Sequence, residues 1–63
     1  MEDFKTRLVQ EQKELEEKLD KLNTFNESDK FQELEYAQRT LLIIQAGAMY
    51  TYNECLKARI AIL

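Results

Sequence analysis

The sequence predicts an all-α fold: an antiparallel two-helix hairpin that oligomerises through its C-terminal helix. Three observations carry this. Proline is absent and glycine occurs once, so little interrupts a helix. No stretch alternates apolar and polar residues for long enough to make a strand. Two long segments with apolar residues at helical spacing flank a single polar break at residues 23–30. A chain of 63 residues forms one small domain. Folded alone, it buries only about 60% of its unfolded surface.

Helix one is expected over about residues 3–26, with Glu2 and Asp3 suited to its start, where acids complement exposed amides and the helix dipole. Phe4, Leu8, Leu15, Leu19, Leu22 and Phe25 form a narrow stripe. Written as heptads, Leu8, Leu15 and Leu22 occupy d, while Gln12, Leu19 and Asn26 occupy a. Glu14–Lys18 and Glu17–Lys21 are i, i+4 pairs in the favourable order, each contributing about 0.2–0.5 kcal/mol. This helix therefore has one buried seam and a solvated charged face.

The turn is expected at about residues 26–29. Asn26 can end a helix in the left-handed region. Ser28 or Asp29 can start the next, and Asp29 with Gln32 has the form of a capping box. The preferred reading is one second helix over about 29–62, kinked near Glu35; the alternative is a short helix over 29–35 before a bend. In the first case Leu22 faces Ala37 or Gln38, Leu15 faces Gln45, and Leu8 faces Tyr52.

Helix two is apolar over more than half its circumference. Leu41-Leu-Ile-Ile44 is apolar all round, and Ala46-Gly-Ala48 follows without a bulky side chain. Gln45, Asn53, Glu54, Lys57 and Arg59 interrupt the run well short of the ~20 residues of a membrane span. Gly47 within a helix costs roughly 1 kcal/mol against alanine, a cost consistent with close approach of another backbone. An exposed apolar surface of this extent is more than soluble monomers usually show. The expected assembly is a homo-oligomer, a dimer at least, with Leu41, Ile43, Ile44, Gly47, Ala48, Met49, Cys55, Leu56 and Ile60 at its interface. Cys55, the single cysteine, reads as a small core residue.

A polar ladder divides this apolar surface. Gln38, Gln45, Tyr52 and Arg59 are spaced seven apart, between a row of Ala37, Leu41, Ile44, Ala48, Cys55 and Ile62 and a row of Leu42, Met49, Leu56, Ile60 and Leu63. It is either a network that sets register or part of a ligand site. Arg59 can grip phosphate bidentately, Tyr52 offers a ring and a hydroxyl, and Gln45 can read a base edge. Arg7 and Lys5 add positive charge at the open end, with Tyr50, Asn53 and Arg39 on a neighbouring face. Gln38 and Gln45 are expected against the leucine seam as interfacial hydrogen-bonders, leaving Tyr52 and Arg59 to face a ligand.

Charge and composition exclude much else. Residues 1–35 carry eleven acids and six bases, and residues 36–63 one acid and three bases, within a net charge of −3. That balance speaks against a nucleic-acid duplex as partner but not against a small anion. With no histidine, no phosphate loop and no acid pair on the apolar face, no catalytic site, metal site or cofactor is expected. Lone cysteine usage and the lack of a signal peptide point to a cytoplasmic protein.

Phe4-Lys-x-Arg-Leu8, Lys21-Leu-Asn-x-Phe25, Ser28-x-Lys-Phe-x-x-Leu34 and Leu41-Leu-x-x-Gln45-x-x-Ala-Met49-x-Thr-Tyr52-x-x-Cys-Leu56-x-x-Arg-Ile60 together resemble a family of short phage helical-hairpin proteins. That family occurs in tailed phages, including crAss-like phages, and the resemblance covers nearly the whole chain. More loosely, the hairpin is similar to phage sponges that counter the CBASS and Thoeris defences. Those assemble as oligomers, often hexamers, and hold cyclic nucleotide signals between subunits without cleaving them. The resemblance implies a phage-encoded sponge for a cyclic nucleotide or cyclic ADP-ribose-type signal, acting in the host cytosol. The alternative is a structural or protein-binding oligomeric hairpin with no small-molecule ligand.

Overall fold

A computed structural model describes residues 3–63 and is all-helical. α1 spans Phe4–Asn26, α2 spans Asp29–Gln32 and α3 spans Tyr36–Ala61. α1 and α3 pack antiparallel along a molecule of 45 × 18 × 14 Å.

Asp3 caps α1, its carboxylate accepting from the Thr6 amide at 2.8 Å. That hydrogen bond lowers the Asp3 pKa. At the other end α1 closes through Glu27 in right-handed geometry. The left-handed ending expected at Asn26 does not occur among the described residues. Ser28, not an Asp29–Gln32 box, starts α2: its hydroxyl accepts from the Phe31 amide and donates to the Phe25 carbonyl at 2.6 Å.

The single second helix expected from Asp29 is divided. Residues 33–35 break it, with Glu35 extended at φ −63°, ψ 151°. Phe31 is the reason. It is buried and meets Phe25 edge-on, ring centroids 6.4 Å apart. A helix running straight from Asp29 could not keep Phe31 there and still lay Leu42 beside Asn26, whose amide donates to the Leu42 carbonyl at 3.4 Å.

The connection moves the register. Gln12 meets Asn53, and Glu11 meets Tyr52, so α3 sits about one turn or more from the pairing expected of a tight turn. On α1 the contact line is the heptad seam, Leu8, Gln12, Leu15, Leu19, Leu22 and Asn26, all buried or half-buried. On α3 it is Leu42, Ala46, Met49, Asn53, Leu56 and Ile60. Leu56 is fully buried. It therefore belongs to the hairpin core, and Met49 and Ile60 lie half-buried along the same seam. Cys55 is exposed, one residue round the helix from the buried line, which corrects its reading as core. Leu41, Ile43, Ile44, Gly47 and Ala48 are exposed in the single hairpin.

Candidate functional site

At the open end, α1 and α3 form a groove of roughly 350 Å³ lined by Phe4, Arg7, Leu8, Glu11 and Arg59. The volume lies at the lower end of the range for small-molecule sites, about 300–1,000 Å³. Leu8 supplies the floor as the last buried residue of the α1 seam. Arg7 immediately precedes it and Arg59 comes from the last turn of α3, so the register brings the two arginines to one groove.

Arg59 stands over the Phe4 ring, 5.9 Å from its centroid. This cation–π contact tethers the guanidinium at the groove, and a guanidinium carries five N–H donors for other partners. Among the described residues, the ion pairs found involve Lys57 and not Arg7 or Arg59. The Tyr52 hydroxyl donates to the Glu11 carboxylate beside the groove. Two guanidiniums against one carboxylate leave the groove net positive. It can take a small anion, with bidentate contacts to phosphate oxygens.

Of the ligand residues expected from sequence, Arg7 and Arg59 share the groove, and Tyr52 borders it through Glu11. Lys5 is exposed outside it. Gln45 is also outside, two turns from Tyr52, with its Nε2 3.9 Å from Met49 Sδ. Gln38 and Gln45 are exposed rather than set against the leucines. The reason is the direction of the seam: Asn53 and Leu56 face α1, which turns the ladder to the edge of the contact.

Sequence reasoning missed Phe4 and Glu11 as groove residues. Glu11 has no signal of its own, being one acid in a charged helix. It gains meaning only from the register that places it beside Tyr52. A second polar cluster lies further along the seam. Asn53 accepts from Gln12 at 3.1 Å and donates to Glu16 at 3.4 Å, and Lys57 bridges Glu16 at 3.2 Å and Glu54 at 3.4 Å. Glu16 is held below the ordinary glutamate pKa, first by the hydrogen bond from Lys57 and then by that from Asn53. Lys57 is raised, chiefly by its bond to Glu16. Those groups satisfy one another, which marks a structural cluster.

Among the described residues, no helix is long and apolar enough to cross a membrane, and no group of His, Cys, Asp and Glu could hold a metal ion. The family model described as Sequestin matches residues 2–62. No curated protein and no solved structure matches the chain.

Proposed function

The chain belongs to the Sequestin family, and from that premise we propose that it is a phage-encoded sponge. It binds a cyclic nucleotide or cyclic ADP-ribose-type immune signal and withholds it, uncleaved, from host defence in the cytosol of the infected cell. The family name denotes sequestration, and the groove supplies chemistry suited to such a signal. The observation that carries the reading is the convergence of Arg7 and Arg59 on one groove, with the Phe4 ring in its lining and Tyr52 at its border through Glu11. Phosphate oxygens fit the guanidinium edges, and a base fits an aromatic face.

The groove suits holding better than turnover. Its one carboxylate, Glu11, is engaged by Tyr52, and Cys55 lies outside it. The sponge works as a homo-oligomer in this reading, because α3 leaves Leu41, Ile43 and Ile44 exposed on a face the hairpin does not cover.

A thermal-shift screen with cyclic di- and trinucleotides and cyclic ADP-ribose isomers tests the reading. A bound signal raises the midpoint by mass action, and denaturing the complex releases it chemically intact. A flat response across the panel rejects the sponge. A released ligand that has been cleaved makes the protein an enzyme instead. The structural-hairpin alternative has one observation in its favour: Tyr52 and Arg59 already have partners in Glu11 and Phe4.

A further inference from the structure

α3 carries two seams, and the hairpin uses one. The second starts at Ala37 and Leu41 and continues at alternating intervals of three and four to Ala58 and Ile62, the spacing of a heptad seam. Every residue along it is exposed. Its one hydroxyl is already satisfied, since Thr51 Oγ1 donates to the Gly47 carbonyl at 3.1 Å. The seam can therefore be buried without stranding a polar group.

The hairpin leaves more surface exposed than a compact chain of its mass. A compact monomer of this mass exposes about 4,250 Å², whereas the hairpin exposes 5099 Å². The surplus of about 850 Å² reflects the elongated hairpin, and Leu41, Ile44 and Ile62 of this seam, 58%, 61% and 85% exposed, are part of that surface.

The order of side chains identifies the partner. Set two α3 helices antiparallel about a two-fold axis between Ala48 and Thr51, and four layers form on each side of it. Ala37 meets Ile62, Leu41 meets Ala58, Ile44 meets Cys55, and Ala48 meets Thr51. The first three layers pair a larger side chain with a smaller one, which fills an interface evenly. A parallel pair sets each residue against its own counterpart: alanine layers would be empty and isoleucine layers crowded. We infer that a second copy of this chain covers the seam in the antiparallel arrangement.

The two-fold axis also completes the ligand site. The ladder occupies the flank of this seam, and across the axis flanking positions of one kind face each other. Gln38 of the second copy comes beside Arg59, and Gln45 of the second copy beside Tyr52. The two glutamines that a single hairpin keeps out of the groove are thus delivered by the partner. Each site uses Arg7, Tyr52 and Arg59 from one copy and the amides from the other. This step rests on the sponge reading; the antiparallel dimer does not.

Cysteine cross-linking tests the dimer without a ligand. Antiparallel packing leaves the two Cys55 residues about 11 residues apart along the axis, ~16 Å, beyond disulfide reach. The natural chain should stay monomeric on denaturing gels after mild oxidation with diamide. Ile44→Cys should give a cross-linked dimer, lost again when Cys55→Ser is added. Ready cross-linking of the natural chain through Cys55, or none in Ile44→Cys, overturns the arrangement. Ile44 is exposed in the hairpin, so the variant leaves the hairpin core intact.

Complementation tests the shared site, with cyclic di-AMP and cyclic ADP-ribose as probes. Arg59→Ala alone and Gln38→Ala/Gln45→Ala alone should each bind at least tenfold more weakly. Mixed and allowed to exchange subunits, each heterodimer regains one intact site of its two. No recovery on mixing overturns the shared site. Cross-linking as stated, with neither probe bound by the natural chain, overturns the shared site for these signals and leaves the dimer standing.

Discussion

The Gln12 side chain donates to Asn53 Oδ1 at 3.1 Å across the hairpin, and Asn53 is buried to 3% exposure. This amide pair lies within the apolar seam between Leu8 and Leu15 on one side and between Met49 and Leu56 on the other. Leucine can slide past leucine at modest cost. A buried amide cannot, because sliding breaks the bonds of Asn53 to both Gln12 and Glu16. The pair therefore fixes how α1 and α3 align, and with them Arg7 against Arg59.

Asn53→Ala should destabilise the hairpin by about 1–3 kcal/mol, the usual cost of leaving a buried polar partner unpaired. Replacing both residues with leucine should recover most of that loss. Urea titrations followed by circular dichroism measure both. A double variant as unstable as the single would show that the pair contributes more than mutual satisfaction.

Leu56→Ala should cost about 2–5 kcal/mol, because Leu56 is the one side chain buried completely among the described residues. For a domain this small, that is much of its net stability. Ile43→Ala, with Ile43 59% exposed, should move hairpin stability by no more than about 0.5 kcal/mol. Equal melting shifts in the two variants would contradict the register. The comparison is sharp because composition and spacing alone place both residues in one apolar arc.

Heptad spacing made α1 legible to its individual positions, since one narrow stripe has one direction to face. α3 is apolar over most of its circumference, so periodicity says that it is helical without saying which side α1 takes. The choice falls to Asn53 and Leu56, and nothing local distinguishes Leu56 from Ile44. The groove follows the same logic. Arg7 and Arg59 were readable as bases near one end, whereas Phe4 and Glu11 join them only through a register that depends on α2. The break at residues 33–35 was hidden because no proline or glycine marks it; Phe31 makes it by tertiary contact.

Acid should weaken the hairpin at Glu16. Its pKa is depressed by Lys57 and Asn53, so its contribution is complete above the ordinary glutamate value, about 4.3. It is lost as pH falls through the lower folded value. Asp3 acts in the same direction through the Thr6 amide. Lys57, raised by Glu16 and Glu54, contributes below the ordinary lysine value and loses its effect as pH rises through its folded value. Melting temperature should stay level between about pH 5 and 9 and fall below about 4.3. Glu16→Gln should make that acid limb shallower; an identical limb would place the effect elsewhere.

Gly47→Ala should stabilise the hairpin by about 1 kcal/mol through helix propensity. A Cβ at that position meets nothing within 4 Å, and the backbone has no positive φ to relieve. The measurement is a urea midpoint at a protein concentration low enough to keep the hairpins apart. A lower midpoint there would mean that the glycine serves the single hairpin in some way its surroundings do not account for.

Arg59→Ala separates the two readings of the ladder. Its guanidinium covers Phe4 at the open end, where α1 is only beginning and Phe4 itself is 54% exposed. An exposed cation–π contact contributes about 0.5–1 kcal/mol, so the hairpin should melt within a few degrees of the natural chain. Ligand binding should fall much further, since a bidentate guanidinium–phosphate contact has no substitute in the groove except Arg7. Titration calorimetry with the signal that scores in the screen, run beside sedimentation of both proteins, gives the answer. Lost binding with assembly unchanged makes Arg59 a ligand residue. Lost assembly makes the ladder structural and removes the main support for the sponge.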